Sequence, residues 1–254
     1  MLKKDYLRPL LRKGRAFILA YDHGFEHGAA DFNGENCDPE YILQLAVKGK
    51  YTGIVLQKGL AEKYYYQTIY QKKIPLILKL NGKTNLFKEK DPYSPVNCSV
   101  LYAKKLGAVA VGYTIYLGSE FENIMFAEFG RMQEEAHYLG LGVIAWVYPR
   151  GKYIKDEKDA GLVSYTARIG LELGADMIKI KYPGSEKKLA RMVKVAGKTK
   201  VVIAGGPKLP EKEFYKMITR AVKAGVTGIT VGRNVWQSKY PLKVSQQLRK
   251  ILQI

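Results

Sequence analysis

Apolar residues in this chain gather in short, nearly unbroken runs, separated by longer stretches in which they recur every three or four positions. The runs are FILAY (17–21), GIVLQ (53–57), PLILKL (75–80), AVAVGY (108–113), GVIAWVY (142–148), DMIKIKY (176–182), KVVIAGG (200–206) and GITVGR (228–233). Continuous apolar runs suit strands buried on both faces, and parallel strands need a crossover of a dozen or more residues between them. Successive runs begin 22 to 36 residues apart, which allows one βα unit each. Helical spacing fills 39–49, 123–140, 164–174 and 213–225, and each of these segments closes on a glycine just before a run. Pro39 behind Asp38 marks the start of the first of them. Eight such units without a linker or low-complexity break predict one domain over 1–254, of the α/β class, built as a single (β/α)8 TIM barrel. An open doubly wound sheet would carry GxGxxG after its first strand, whereas the turn here reads DHGFEHG.

Composition narrows the class of partner. Two cysteines, Cys37 and Cys98, can make neither a disulfide framework nor a four-cysteine zinc site. The opening MLKKDYLRPLLRKGR is charged throughout, and no apolar run approaches the roughly 20 residues that span a bilayer. A cytoplasmic protein with no membrane association is expected. Lys and Arg number 42 against 23 Asp and Glu, a net charge of +19. Such a surplus fits either nucleic-acid binding or a Lys-rich surface around an anionic small substrate. The basic residues are spread along the whole chain with no arginine-rich arm, so a phosphorylated substrate is favoured and no nucleic acid is expected.

In a barrel the chemistry sits at the C-terminal ends of the strands, and residues two apart share a face. Asp22 and His23 follow the first run, Lys79 and Asn81 end the third, Trp146 and Tyr148 the fifth, and Lys179 and Lys181 the sixth. Lysine inside a packed barrel is costly to keep charged, and a second ammonium nearby raises the cost. Both effects favour a free amine, the requirement for a Schiff-base nucleophile. Lys179 lies deeper, between Ile178 and Ile180, so it is expected to do covalent work while Lys181, nearer the mouth, partners a phosphate or carboxylate. Tyr148 could pass a proton, whereas Trp146 reads equally as filling of the barrel mouth. Asp22 could orient a lysine or a substrate hydroxyl, though Asp before a turn is also ordinary turn chemistry. Gly205-Gly206, with Lys208 beyond, and Gly232-Arg233 close the last two runs, where barrels hold phosphate on backbone N–H groups. His23, His27 and His137 are the only histidines, and no metal site is expected from them.

The motifs ILAYDHGFEHGAADF (18–32), LILKLNGKT (76–84), VGYTIYLGS (111–119), WVYPRG (146–151), GADMIKIKYPG (174–184), AGGPK (204–208) and VGRNVWQ (231–237) resemble, in order and over nearly the whole chain, the archaeal-type class I fructose-1,6-bisphosphate aldolases. These belong with the Schiff-base aldolases related to deoxyribose-phosphate aldolase. The resemblance implies a metal-independent, cofactor-free lyase acting on a phosphorylated sugar through a lysine imine. By motif, Lys179 matches the Schiff-base lysine, Tyr148 the proton donor and acceptor, Trp146 the tryptophan beside it and Asp22 the catalytic aspartate. The AGGPK and VGRN segments match one phosphate site, and His27 with Arg150 the other. Ala204 stands where members of the family often carry Ser, and the tail ends soon after the last helical segment. Homo-oligomers of two stacked pentamers are also implied. The nearest rival on the same fold is a 2-amino-3,7-dideoxy-heptulosonate synthase, against which the HGxxHGxADF stretch argues; outside the class, a basic nucleic-acid-binding protein remains.

Overall fold

The computed structural model describes residues 5–86, 90–157 and 159–254. Eight parallel strands close on themselves in chain order: β1 (Ala16–Tyr21), β2 (Gly53–Gln57), β3 (Leu76–Lys79), β4 (Ala108–Leu117), β5 (Gly142–Pro149), β6 (Met177–Ile180), β7 (Lys200–Ala204) and β8 (Gly228–Val231). β1 pairs with both β2 and β8, so no edge is left open and the fold is a (β/α)8 barrel.

The alternation within each run builds two cores. Ile18, Ala20, Val55, Ile77, Ala110, Ile144, Met177 and Val202 point inward and fill the barrel. Phe17, Leu19, Ile54, Leu56, Val143 and Ile203 point outward, under the helices. Both faces of every strand are therefore dry, which is why the runs read as continuous apolar sequence. Leu7 and Leu10, ahead of β1, join the inner core and close the barrel at its base. The segment is held there by Tyr6, stacked on the His137 ring at a centroid distance of 4.2 Å, while His137 Nε2 lies 2.9 Å from Asp176 Oδ2.

Three of the expected helices form within a residue or two of their sequence bounds: Pro39–Lys48, Glu122–Tyr138 and Glu211–Lys223. Asp38 caps the first by accepting from the Glu40 amide. The fourth starts earlier than its apolar period indicates, at Ala160, because Asp159 accepts from the Leu162 amide and opens the helix there. The β2–β3 crossing departs from the pattern: only short turns, Lys58–Leu60, Ala61–Tyr65 and Ile69–Lys72, fit into this interval. β4 runs on to Leu117, beyond its apolar run, since Thr114–Leu117 pair with Trp146–Pro149 at the end of β5.

Where β8 closes on β1, Gly228 lies opposite Ala16, and an added Cβ would stand 1.9 Å from the Ala16 carbonyl oxygen. The obstruction is backbone and cannot swing aside. Gly228→Ala is expected to lower stability by about 1–3 kcal/mol, as overpacked cores do, measured as a lower urea midpoint with an unchanged slope.

Candidate active site

The inward positions stay apolar through the lower barrel and turn polar near the C-terminal ends of the strands. The strand register decides which of them meet. Trp146 pairs with Lys179 on one side and Thr114 on the other, and Lys79 pairs with Gly112. Gly112 is the residue that lets the indole lie down: a Cβ there would come within 2.0 Å of the Trp146 ring. The flattened ring leaves Lys179 Nζ 5.0 Å and Lys79 Nζ 5.6 Å from its centroid. Above this floor lies a cavity of about 620 Å³, walled by Asp22, Glu26, Tyr148, Thr230 and the glycines after β7 and β8.

Lys179 is 6% exposed and Lys79 is 2% exposed. Burial pushes the pKa of both amines down. For Lys179 the Asp22 carboxylate works against this, whereas the Lys79 ammonium adds to it. The sequence expectation assigned that second charge to Lys181, and the structure reassigns it. Lys181 does share the cavity face with Lys179, but its side chain is 48% exposed beyond the end of β6 and paired with Glu157. Water and a carboxylate leave little of its charge to act on Lys179. Lys79 is fixed instead by donating to the Asn81 carbonyl at 3.1 Å. Asn81 is itself locked to β4, donating to the carbonyls of Thr114 and Ser94 and accepting from the Thr114 amide.

The surrounding groups are driven to definite protonation states. Burial raises the Asp22 carboxyl, but Lys179, His23 and Lys79 outweigh it and hold the group below the ordinary carboxylate range. His23 is pushed down to about 4, chiefly by burial and further by Lys179, His27 and Arg233, so its imidazole is neutral at pH 7. The Tyr148 phenol is raised well above its usual value by burial and then by the charges of Glu26 and Asp22. A buried amine whose pKa is lowered, a carboxylate held below its ordinary range and a phenol held above its own thus converge on one space. That set can add to a carbonyl and move protons about the adduct.

The glycine-rich ends of β7 and β8 are tied together by Asn234, whose Nδ2 donates to the Gly205 and Pro207 carbonyls while its Oδ1 accepts from the Leu209 amide. The Gly205 amide donates to Thr230 O at 2.9 Å, so it belongs to the sheet and is not available to an anion as the sequence suggested. Gly206, at φ +72, faces the cavity. Gly232 faces it too, and a Cβ there would meet the His23 ring at 2.6 Å. Arg233 enters beside them with Nη1 3.3 Å from Asp31 Oδ2 and a buried Nε that has no protein partner. Lys208 is exposed and does not line the cavity, a second departure from expectation. His27, 3.2 Å from Asp31, and Arg150, its guanidinium 5.4 Å from the Tyr116 ring centroid, border an adjoining cavity of about 450 Å³ that also takes in Lys83 and Thr84.

Sequence reasoning passed over Glu26, Thr114 and Thr230. Glu26 lies in a short helical turn (Gly24–His27) that follows Asp22 and His23, and no motif marks it. A larger groove of about 710 Å³ beside β1 and β2, lined largely by Tyr21, Phe25, Phe32 and Tyr64, touches the first cavity at Asp22 alone. Among the described residues no three His, Cys, Asp or Glu side chains gather as a metal site would require, and no helix is long and apolar enough to cross a membrane.

Residues 16–238 match the model of the DeoC/LacD family of aldolases. The chain is 49% identical to a class 1 fructose-bisphosphate aldolase of Thermoproteus tenax, over 99% of this chain and 94% of that protein. It is 44% identical to the class 1 enzyme of Halobacterium salinarum, over 92% and 88%. It superimposes with a TM-score of 0.92 and 49% identity, over 97% of each chain, on an archaeal fructose-1,6-bisphosphate aldolase whose catalytic Lys is covalently bound to the carbinolamine intermediate of the substrate.

Replacing Lys79 by Met removes a positive charge that disfavours the ammonium form of Lys179. The Lys179 pKa should then rise, and less of the amine is neutral at any given pH. The acid limb of its reductive methylation, followed by peptide mass from pH 5 to 10, is expected to move to higher pH. An unmoved limb would show that burial alone sets the amine.

Proposed function

The chain belongs to the DeoC/LacD family of aldolases, and from that footing we propose that it is a class I fructose-1,6-bisphosphate aldolase, interconverting the bisphosphate with dihydroxyacetone phosphate and glyceraldehyde 3-phosphate through an imine on Lys179. The observation that carries this is the buried Lys179 amine, facing the cavity beside an anionic Asp22 and a protonated Tyr148.

The neutral amine adds to the C2 ketone, and loss of water leaves an iminium. That cation replaces the ammonium which burial disfavoured, and Asp22, already biased toward its charged form, neutralises it. The iminium draws in the C3–C4 electron pair, so cleavage needs no free carbanion. Tyr148 enters with its proton on and supplies it to C3 of the resulting enamine. Trp146 roofs the lower barrel, and its indole face favours cationic nitrogen above it. The C1 phosphate is assigned to Gly206, Gly232 and Arg233, with Gly205 shaping the turn. The C6 phosphate is assigned to His27 and Arg150, helped by Lys83. Lys181 stands at the mouth as an auxiliary cation. These contacts fix both ends of the substrate so that C2 meets the amine.

The enzyme is assigned to the cytoplasm, where charged sugar phosphates are retained. It is further assigned to a homo-oligomer, a decamer of two pentamers being the assembly the family suggests.

Borohydride added with dihydroxyacetone phosphate should fix one adduct on the Lys179 peptide, and Lys179→Ala should abolish it. Cleavage of the bisphosphate should survive a chelator. An adduct on Lys181, or activity that follows a divalent ion, would overturn the assignment. Arg233→Ala is expected to raise KM for the bisphosphate about tenfold with kcat little changed, as loss of a uniform anion contact does; steady-state kinetics check it.

A further inference from the structure

Buried polar atoms without a protein partner mark places where a ligand can complete the hydrogen bonding. Among the described residues five such atoms belong to the lining of the catalytic cavity: His23 Nδ1, Thr114 Oγ1, Trp146 Nε1, Tyr182 Oη and Arg233 Nε. Arg233 stands at the phosphate-facing glycines, His23 Nδ1 is 3.7 Å from Asp22 Oδ1, and Tyr182 follows the end of β6. Thr114 differs in level. It is the register partner of Trp146, which is the partner of Lys179, so the three occupy one layer across β4, β5 and β6. Thr114 is 1% exposed, and both of its backbone groups are spent on Asn81: the amide donates to Oδ1 at 2.8 Å and the carbonyl accepts from Nδ2 at 3.0 Å. The residue is thereby fixed and its hydroxyl alone is left over. An isosteric valine would fill the same space without burying an unpaired group.

The direction of the bound sugar brings one particular group to that hydroxyl. β4 lies four strands from β8 around the closed barrel, directly across from Gly232 and Arg233. With the C1 phosphate at that end and C2 on Lys179, the carbon chain continues from C2 toward β4 and the adjoining cavity. The β4 residue in the wall of that cavity is Tyr116, two positions beyond Thr114 on the same face. C3, one bond from C2, is the first carbon on this path. We propose that Thr114 is a specificity-determining residue whose Oγ1 hydrogen-bonds the C3 hydroxyl of the ketone half, an inference that rests on the imine reading above. The hydroxyl can donate or accept, as can its partner on C3. The site then selects a ketone phosphate hydroxylated at C3, taking dihydroxyacetone phosphate in preference to hydroxyacetone phosphate, which lacks only that group. A ketone without the hydroxyl leaves Oγ1 buried and unpaired, and that penalty makes the discrimination.

Borohydride trapping with two ketones tests it. Wild type, Thr114→Val and Thr114→Ser are titrated with dihydroxyacetone phosphate and, separately, with hydroxyacetone phosphate. The half-saturating concentration of each ketone is read from the rate of Lys179 adduct formation. Wild type should favour dihydroxyacetone phosphate about tenfold, the order of one hydrogen bond whose loss strands a buried group. Thr114→Val should bring the two ketones within about twofold of each other by weakening dihydroxyacetone phosphate alone, since only that ketone loses a bond. Thr114→Ser should restore the preference. The Tm of Thr114→Val should equal or exceed that of wild type, because no bond within the protein is lost. The proposal fails if Thr114→Val weakens both ketones equally, if it keeps the wild-type preference, or if its Tm falls, which would give the hydroxyl a structural partner. No adduct with either ketone in the wild type would instead overturn the imine reading, and this proposal with it.

Discussion

Two lysine amines share the face of one indole at the floor of the cavity, and the remaining site is arranged around that fact. Lys79 comes from β3 and Lys179 from β6, both are almost wholly buried, and among the described residues neither makes an ion pair. Their charge is met at a distance by Asp22 and Glu26 and by the π-cloud of Trp146. Removing a fixed ammonium from water is costly without a close partner, so the arrangement favours losing a proton from one amine over holding two cations. The lowered amine pKa is then a property of the packing. It needs the indole flat, which needs Gly112, and it needs Lys79 held in place, which needs the Asn81 link between β3 and β4.

Around that floor, environment sorts like groups into unlike roles. Asp22 is depressed by its cations, the Tyr148 phenol is raised by burial and by carboxylates, and His23 is emptied of its proton. Pushing neighbouring groups apart in this way is how one cavity can supply a nucleophile, a charge partner and an acid at the same pH. The anion-facing end is separate in construction. It is made from the β7 and β8 loops and locked by Asn234, with the sheet consuming the Gly205 amide.

Most of the fold was legible because both faces of every strand are buried. Runs such as FILAY and KVVIA declare themselves without any knowledge of partners. The β2–β3 crossing was less legible, since turns stabilised by buried Tyr65 and Tyr70 carry no helical period. Lys179, Trp146 and Tyr148 could be placed on one face by counting in twos along their strands. What the count could not supply was the register between strands. It is register that sets Lys79 beside Gly112, within reach of the indole face, and sends Lys181 past the end of β6 to Glu157. Backbone hydrogen bonding is equally invisible in a motif: Gly205 and Gly206 look alike in sequence, yet one amide is spent on Thr230. Glu26 was passed over because its turn carries no motif; only the fold shows that it borders both cavities.

Leu7 and Leu10 sit at the far end of the barrel from this chemistry, as part of the same inner stack that runs up through Ile18, Ile144 and Met177 to Trp146. The low dielectric around Lys179 is a property of that whole column, and its lowest members precede the first strand. If the base were unplugged, water could climb the bore, and the polarisable medium beneath the indole would raise the amine pKa that burial lowers. The acidity of the amine is in this sense shared with a leucine pair that never touches it, held shut from outside by Tyr6 lying on His137.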